Sequence, residues 1–158
     1  MTVKDLAGKY VFWDVDGVLA EFRFCGKFHP NLEGAGALTQ KMVDEGVFES
    51  RAPIKSFQRL MKVCDTKGHY VLGGYRYEGE REHKQPWIKE HYPEVKECIW
   101  VSGHNYKVDV LVPYLMEHNI CEMDAVFIDD TYEELYRMER STRVTCYHVS
   151  SLLDWEEN

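Results

Sequence analysis

The sequence predicts an α/β fold, a parallel sheet covered by helices on both faces. Three observations carry that prediction. Short, near-continuous apolar runs recur along the chain, segments of helical periodicity separate them, and neither an internal repeat nor a low-complexity tract interrupts the alternation. The 158 residues are read as one domain, 1–158, long enough to bury a sizeable core.

The elements follow in order. Tyr10 to Val15 reads as a short apolar strand ending in Asp14 and Asp16. Residues 20–53 fit the alternation badly, with four phenylalanines and glycines at 26, 34, 36 and 46. That stretch is too long for a simple connection and is read as a small insertion over the carboxyl edge of the sheet, helical around Leu38 to Glu45. Ile54, Phe57, Leu60, Met61 and Cys64 share one face of a helix over 54–67. His69 to Gly74 is a second strand. Pro86 opens a short helix that Pro93 ends. Cys98 to Gly103 is a third strand, and Val108, Leu111, Val112 and Leu115 have helical spacing, with a kink or restart expected at Pro113. Asp124 to Asp130 is a fourth strand. Thr131 and Glu134 have capping-box spacing for a helix reaching about Arg140. Val144 to Val149 is a fifth strand, and the acidic tail reads as a short closing helix.

Composition narrows the function. The net charge of −8 opposes a phosphate backbone or an anionic membrane surface, so no long nucleic acid and no membrane partner is expected. A small phosphorylated substrate stays open if a metal or local positive charge meets it. No signal peptide is expected, and no apolar stretch approaches the ~18 residues of a spanning helix. Five cysteines without a C-x-x-C pair read as free thiols of a reducing cytoplasm.

In parallel sheets ligands bind beyond the carboxyl ends of the strands. Asp14 and Asp16 end the first strand, and Asp129 and Asp130 end the fourth. If those strands are neighbours, four carboxylates meet. Two like charges ~4 Å apart repel by roughly 4 kcal/mol at an effective dielectric near 20. Protons or a divalent cation must compensate, and an all-oxygen site suits Mg²⁺. Lys107, opening the helix after the third strand, is placed to neutralise more of the charge.

"DVDGVLA" resembles the first motif of the haloacid dehalogenase superfamily of phosphohydrolases, and "VFIDDTYEEL" resembles its acidic fourth motif. Lys107 fits the position of the superfamily's lysine. Within the superfamily, "EHKQPWIKEHYPE" followed by "IWVSGHNYK" is similar to the 5'(3')-deoxyribonucleotidase group. The resemblance implies a Rossmann-like fold with a small cap and a Mg²⁺-dependent phosphomonoesterase. Asp14 would be the nucleophile, forming an aspartyl-phosphate, and Asp16 the general acid and base. That second role asks for an Asp16 pKa nearer neutrality, and crowding by like charge acts in that direction. Asp14, the Asp16 backbone carbonyl and Asp129 would hold the metal, Asp130 would reach it through water, and Lys107 would stabilise the phosphoryl oxygens.

One departure stands out. The superfamily's second motif supplies a hydroxyl where this chain has Gly73 and Gly74. Their N–H groups are expected to form an anion-binding nest, with Arg76 adding positive charge. Ser102 is a further source of a hydroxyl. Lys84 is either a ligand of the substrate phosphate or a solvated surface lysine. Phe22, Phe24, Tyr75 and Tyr77 either stack on a substrate or form the insertion's own core. The competing reading is a phosphate-binding protein of the same fold with weakened catalysis and a regulatory or binding role.

Overall fold

The structure is a computed structural model and describes residues 3–21, 38–153 and 155. Five strands, β1 (Tyr10–Trp13), β2 (Gly68–Tyr75), β3 (Val95–Ser102), β4 (Ala125–Asp129) and β5 (Thr145–His148), form one parallel sheet. The order is β3-β2-β1-β4-β5. The chain builds outward from β1 through β2 to β3, then crosses back to place β4 on the other side of β1. The strand order therefore reverses at β1, the place where open α/β sheets bind ligands.

Alternation along the strands sends side chains to two cores. Val11, Trp13, Val71, Val126 and Ile128 pack against α2 (Lys55–Val63) and α3 (Glu80–His91). Phe12, Leu72, Ile99, Val101 and Phe127 pack against α4 (Lys107–Glu117) and α5 (Tyr132–Ser141). Burial on both faces explains why these strands read as continuous apolar runs. No helix among the described residues is long and apolar enough to cross a membrane.

Three elements differ from the sequence reading. Helix α3 begins at Glu80, so Pro86 lies inside it rather than at its start. Helix α4 runs through Pro113 without a restart. In both, the proline and the residue whose carbonyl loses its partner, Glu82 or Asp109, lie on the solvent side. Solvent can satisfy those carbonyls. The capping box at α5 does not close. Thr131 makes no side-chain cap, and Glu134 instead accepts the backbone N–H of Lys107 at 3.0 Å, capping the first turn of α4. At the end of the chain, Val149–Leu152 is a short 3-10 turn, and the rest of the expected closing helix lies largely outside the described residues.

Of the stretch 20–53, read above as an insertion, residues 20, 21 and 38–53 are described. Helix α1 (Gln40–Asp44) starts on Thr39, whose Oγ1 accepts the Met42 N–H at 3.3 Å. Leu38, Val43 and Phe48 form a small core that Tyr77 joins, and the Tyr77 hydroxyl donates to the Leu38 carbonyl at 2.8 Å. Tyr77 thus belongs to the insertion's own packing, whereas the Phe22 and Phe24 expectation lies outside the described residues.

Candidate active site

Backbone pairing brings the acids together. Trp13 and Ile128 are register partners, and the Asp14 N–H extends the ladder by donating to the Ile128 carbonyl at 2.9 Å. Asp14 and Asp129 therefore stand side by side at the ends of β1 and β4. Beyond Asp14 the chain turns sharply. The N–H groups of Leu19 and Ala20 converge on the Val15 carbonyl at 3.0 and 2.8 Å, and Gly17 takes φ +82°, a conformation side chains disfavour. Tyr92 holds this turn from below: its hydroxyl donates to the Leu19 carbonyl at 2.6 Å and accepts the Ile54 N–H at 2.9 Å.

Lys107, at the start of α4, reaches between the two strands. Its ammonium lies 2.5 Å from Asp129 Oδ2 and 2.6 Å from Asp14 Oδ1. Asp129 Oδ1 accepts the Thr131 N–H at 2.7 Å, which orients the carboxylate. Carboxylate oxygens of Asp14, Asp129 and Asp130 lie within 4.8 Å of one another.

The charges do not balance. Among the described residues of this cluster, three carboxylates against one ammonium leave two negative charges, with Asp14 and Asp129 buried. Burial pushes the Asp14 carboxyl up to about 7; the Lys107 ammonium opposes the rise, and the Asp129 and Asp16 carboxylates reinforce it. Burial also raises Asp130, with Asp129 adding to the effect. The donor set is all oxygen, and the surplus charge matches a dication. Asp14, Asp129 and Asp130 thus fit Mg²⁺ or a similar hard ion.

Asp16 stands apart from this cluster. Its Oδ2 accepts from Lys84 Nζ at 2.6 Å and its Oδ1 pairs with the Arg51 guanidinium. Lys84 is almost fully buried, and also reaches Glu80 at 2.5 Å and the Gly74 carbonyl at 3.0 Å. Among the described residues this second cluster pairs two acids, Asp16 and Glu80, with two bases, Lys84 and Arg51. Burial alone would raise Asp16, but Lys84 and Arg51 outweigh it and hold the carboxyl at about 2. The expected rise toward neutrality is therefore reversed. The Lys84 and Arg51 cations outweigh any crowding by like charge. The Asp16 carboxylate also falls outside the three-acid cluster.

The acids open on a cavity of about 340 Å³. Asp14, Asp16, Lys107, Gly74, Arg76 and Ser102 reach its wall, and Leu38 of the insertion covers one side. Lys84 is neither a surface lysine nor part of this wall. Gly73 and Gly74 continue β2 in register with Trp100 and Val101, and neither takes positive φ. The expected nest needs a left-handed residue and so does not form. Gly73 is required by packing instead: a Cβ there would lie 2.8 Å from the Trp100 ring and 3.0 Å from Val15. At Gly74 a Cβ would meet nothing within 4 Å. No motif in the sequence surrounds Arg51, near the end of the 20–53 stretch; its proximity to Asp16 is purely tertiary.

No protein-family model matches the sequence, and no curated protein matches it. Solved structures do resemble it. A haloacid dehalogenase-like family hydrolase from Streptococcus pneumoniae superposes with TM-score 0.59 at 14% identity, over 94% of this chain and 92% of that one. A chain of the Pnkp1/Rnl/Hen1 RNA repair complex superposes with TM-score 0.58 at 11% identity, over 90% of this chain and 42% of its own. The N-terminal part of a Bacteroides fragilis protein, containing a phosphatase domain and complexed with Mg, gives TM-score 0.53 at 15% identity, over 92% of this chain and 37% of its own. This chain thus spans less than half of the last two. At these identities the likeness establishes the architecture: the chain has the haloacid dehalogenase-like fold.

Proposed function

We propose that this protein is a Mg²⁺-dependent phosphomonoester hydrolase that works through an aspartyl-phosphate on Asp14. Its substrate is a small phosphorylated metabolite, with nucleoside monophosphates the first class to test, in keeping with the deoxyribonucleotidase-like segment 82–107. The observation that carries the reading is the bridging of Asp14 and Asp129 by Lys107 at the mouth of a cavity, with two negative charges left over. The phosphatase domain that shares the fold and was complexed with Mg supports it. A reducing cytoplasm suits the free thiols of Cys64, Cys98, Cys121 and Cys146.

The residues divide the work as follows. Asp14, Asp129 and the Asp16 backbone carbonyl would hold the metal, and Asp130 would reach it through water. A dication held there would supply two positive charges that favour the ionised form of Asp14 and attract a phosphate dianion. An Asp14 carboxylate oxygen attacks phosphorus, the ester P–O bond breaks, and the leaving oxygen takes a proton that Asp16 has first drawn from solvent, which leaves Asp16 ionised again. Lys107 and Arg76 neutralise the phosphoryl oxygens. Asp16 then accepts a proton from the water that attacks the phospho-aspartate, releasing inorganic phosphate and free Asp14. Held near 2, Asp16 is ionised throughout the physiological range. It can receive the water's proton, but it must first gain one to serve a leaving oxygen.

A second reading, a phosphate-binding protein with weakened catalysis, has two observations behind it. The second-motif hydroxyl is replaced by glycine, and Asp16 is engaged by two cations. Release of p-nitrophenol from p-nitrophenyl phosphate separates the two, because that leaving group departs without a proton. Mg²⁺-dependent release that Asp14→Asn abolishes establishes the hydrolase. A folded protein with no release in Mg²⁺ establishes the weakened reading.

A further inference from the structure

Arg51 is the described residue that joins three parts of the molecule at once. Its Nη1 pairs with Asp16 Oδ1, and its Nη2 donates to the carbonyls of Ala20 and Glu21 at 3.1 and 3.0 Å. Its Nε also donates to Glu21, at 3.2 Å. Ala20 and Glu21 open the insertion, and Arg51 lies at its close. Backbone pairing already ties the two ends together: Glu21 N–H donates to the Ala52 carbonyl at 3.0 Å, and Ala20 bridges Pro53. The Arg51 backbone is anchored in turn, its carbonyl accepting from Trp87 Nε1 at 3.1 Å. Trp87 lies on α3, the same helix that supplies Lys84.

We infer that Arg51 is the positioning residue for Asp16, fixing the acid–base carboxylate on the cavity wall from the neck of the insertion. A carboxylate has about four lone-pair sites, and Arg51 and Lys84 occupy one on each oxygen. Among the described residues no other donor takes a lone pair of Asp16, so the clamp orients the carboxylate and leaves sites for a substrate or water proton. Lys84 alone leaves the carboxylate free to swing about its Cβ–Cγ bond; the planar guanidinium supplies the second point that a lysine geometry does not. The inference rests on the phosphohydrolase reading above.

A double-mutant cycle tests it, with p-nitrophenyl phosphate and Mg²⁺ on the full chain. Arg51→Met is expected to lower kcat by about 10- to 100-fold with KM changed by less than about threefold, the size of effect a ~1 Å misplacement produces. In an Asp16→Asn background the same substitution is expected to change kcat by less than about twofold, since the residue it positions no longer acts. Arg51→Lys, which keeps the charge, is expected to recover part of the loss. It carries the test if Arg51→Met does not fold. An equal loss in both backgrounds, an unchanged kcat, or a raised kcat overturns the assignment. An inactive wild type is a different failure: it removes the hydrolase reading, and the positioning role with it.

Discussion

Replacing Asp14 by asparagine should stabilise the metal-free protein while ending its activity. The buried carboxyl is pushed from 3.8 to about 7. At ~1.36 kcal/mol per pH unit, that gap corresponds to roughly 4 kcal/mol against folding once the pH exceeds 7. The sign follows from which state ionises first. Between about pH 4 and 7 the unfolded chain gives up this proton and the folded chain keeps it, so stability falls with rising pH. Asparagine removes that penalty and can still accept from Lys107 through its amide oxygen. If half of the ceiling survives relaxation, the gain is ~2 kcal/mol, or about 4–8 °C in Tm for a domain of this size. Magnesium should act oppositely on the two proteins. At one hundred times Kd it adds ~2.7 kcal/mol to the wild type, and little to the variant. Thermal melts at pH 7.5, with and without Mg²⁺, read all four states. An Asp14→Asn protein less stable than wild type without metal, or one that gains as much from Mg²⁺, would refute the charge argument.

Two further outcomes follow from the same structure. His69, near the start of the internal strand β2, is buried, accepts from Trp13 Nε1 at 3.2 Å, and is held down by burial at about 4. Its contribution is complete above pH 6.5 and lost as the pH falls toward 4, roughly 3 kcal/mol in all; urea melts across that range should show the loss, and His69→Gln should flatten it. The two adjacent glycines should separate cleanly: Gly73→Ala, forced against Trp100 and Val15, should cost about 1–3 kcal/mol. Gly74→Ser has open space around its Cβ. It should fold normally and, by restoring a hydroxyl at the cavity wall, raise phosphate release; equal stabilities for the two variants would contradict the packing description.

What the sequence revealed divides along physical lines. Strands buried on both faces announce themselves as apolar runs, and their order of appearance fixed which carboxyl ends carry Asp14, Asp16, Lys107, Asp129 and Asp130. The adjacency of β1 and β4, on which the metal site depends, was legible only as a condition; backbone pairing of Trp13 with Ile128 meets it. Pro86 and Pro113 misled because a proline signal cannot tell an exposed helix face from a helix end. Glu134 showed the right spacing for a cap and caps a different helix, since α4 and α5 start side by side. The Asp16 environment was illegible. Its electrostatics depend on Arg51, 35 residues away, and Lys84, 68 residues away; no local pattern marks Arg51, and the segment that drew notice to Lys84 says nothing of its pairing with Asp16.

Diffraction from crystals grown with Mn²⁺, measured at the manganese absorption edge, tests the central claim most directly. A single anomalous peak is expected in contact with carboxylate oxygens of Asp14 and Asp129, with Asp130 at one water's remove and none on the Asp16 carboxylate. An empty site in millimolar Mn²⁺, with Lys107 still the sole counter-charge between those two acids, would contradict it.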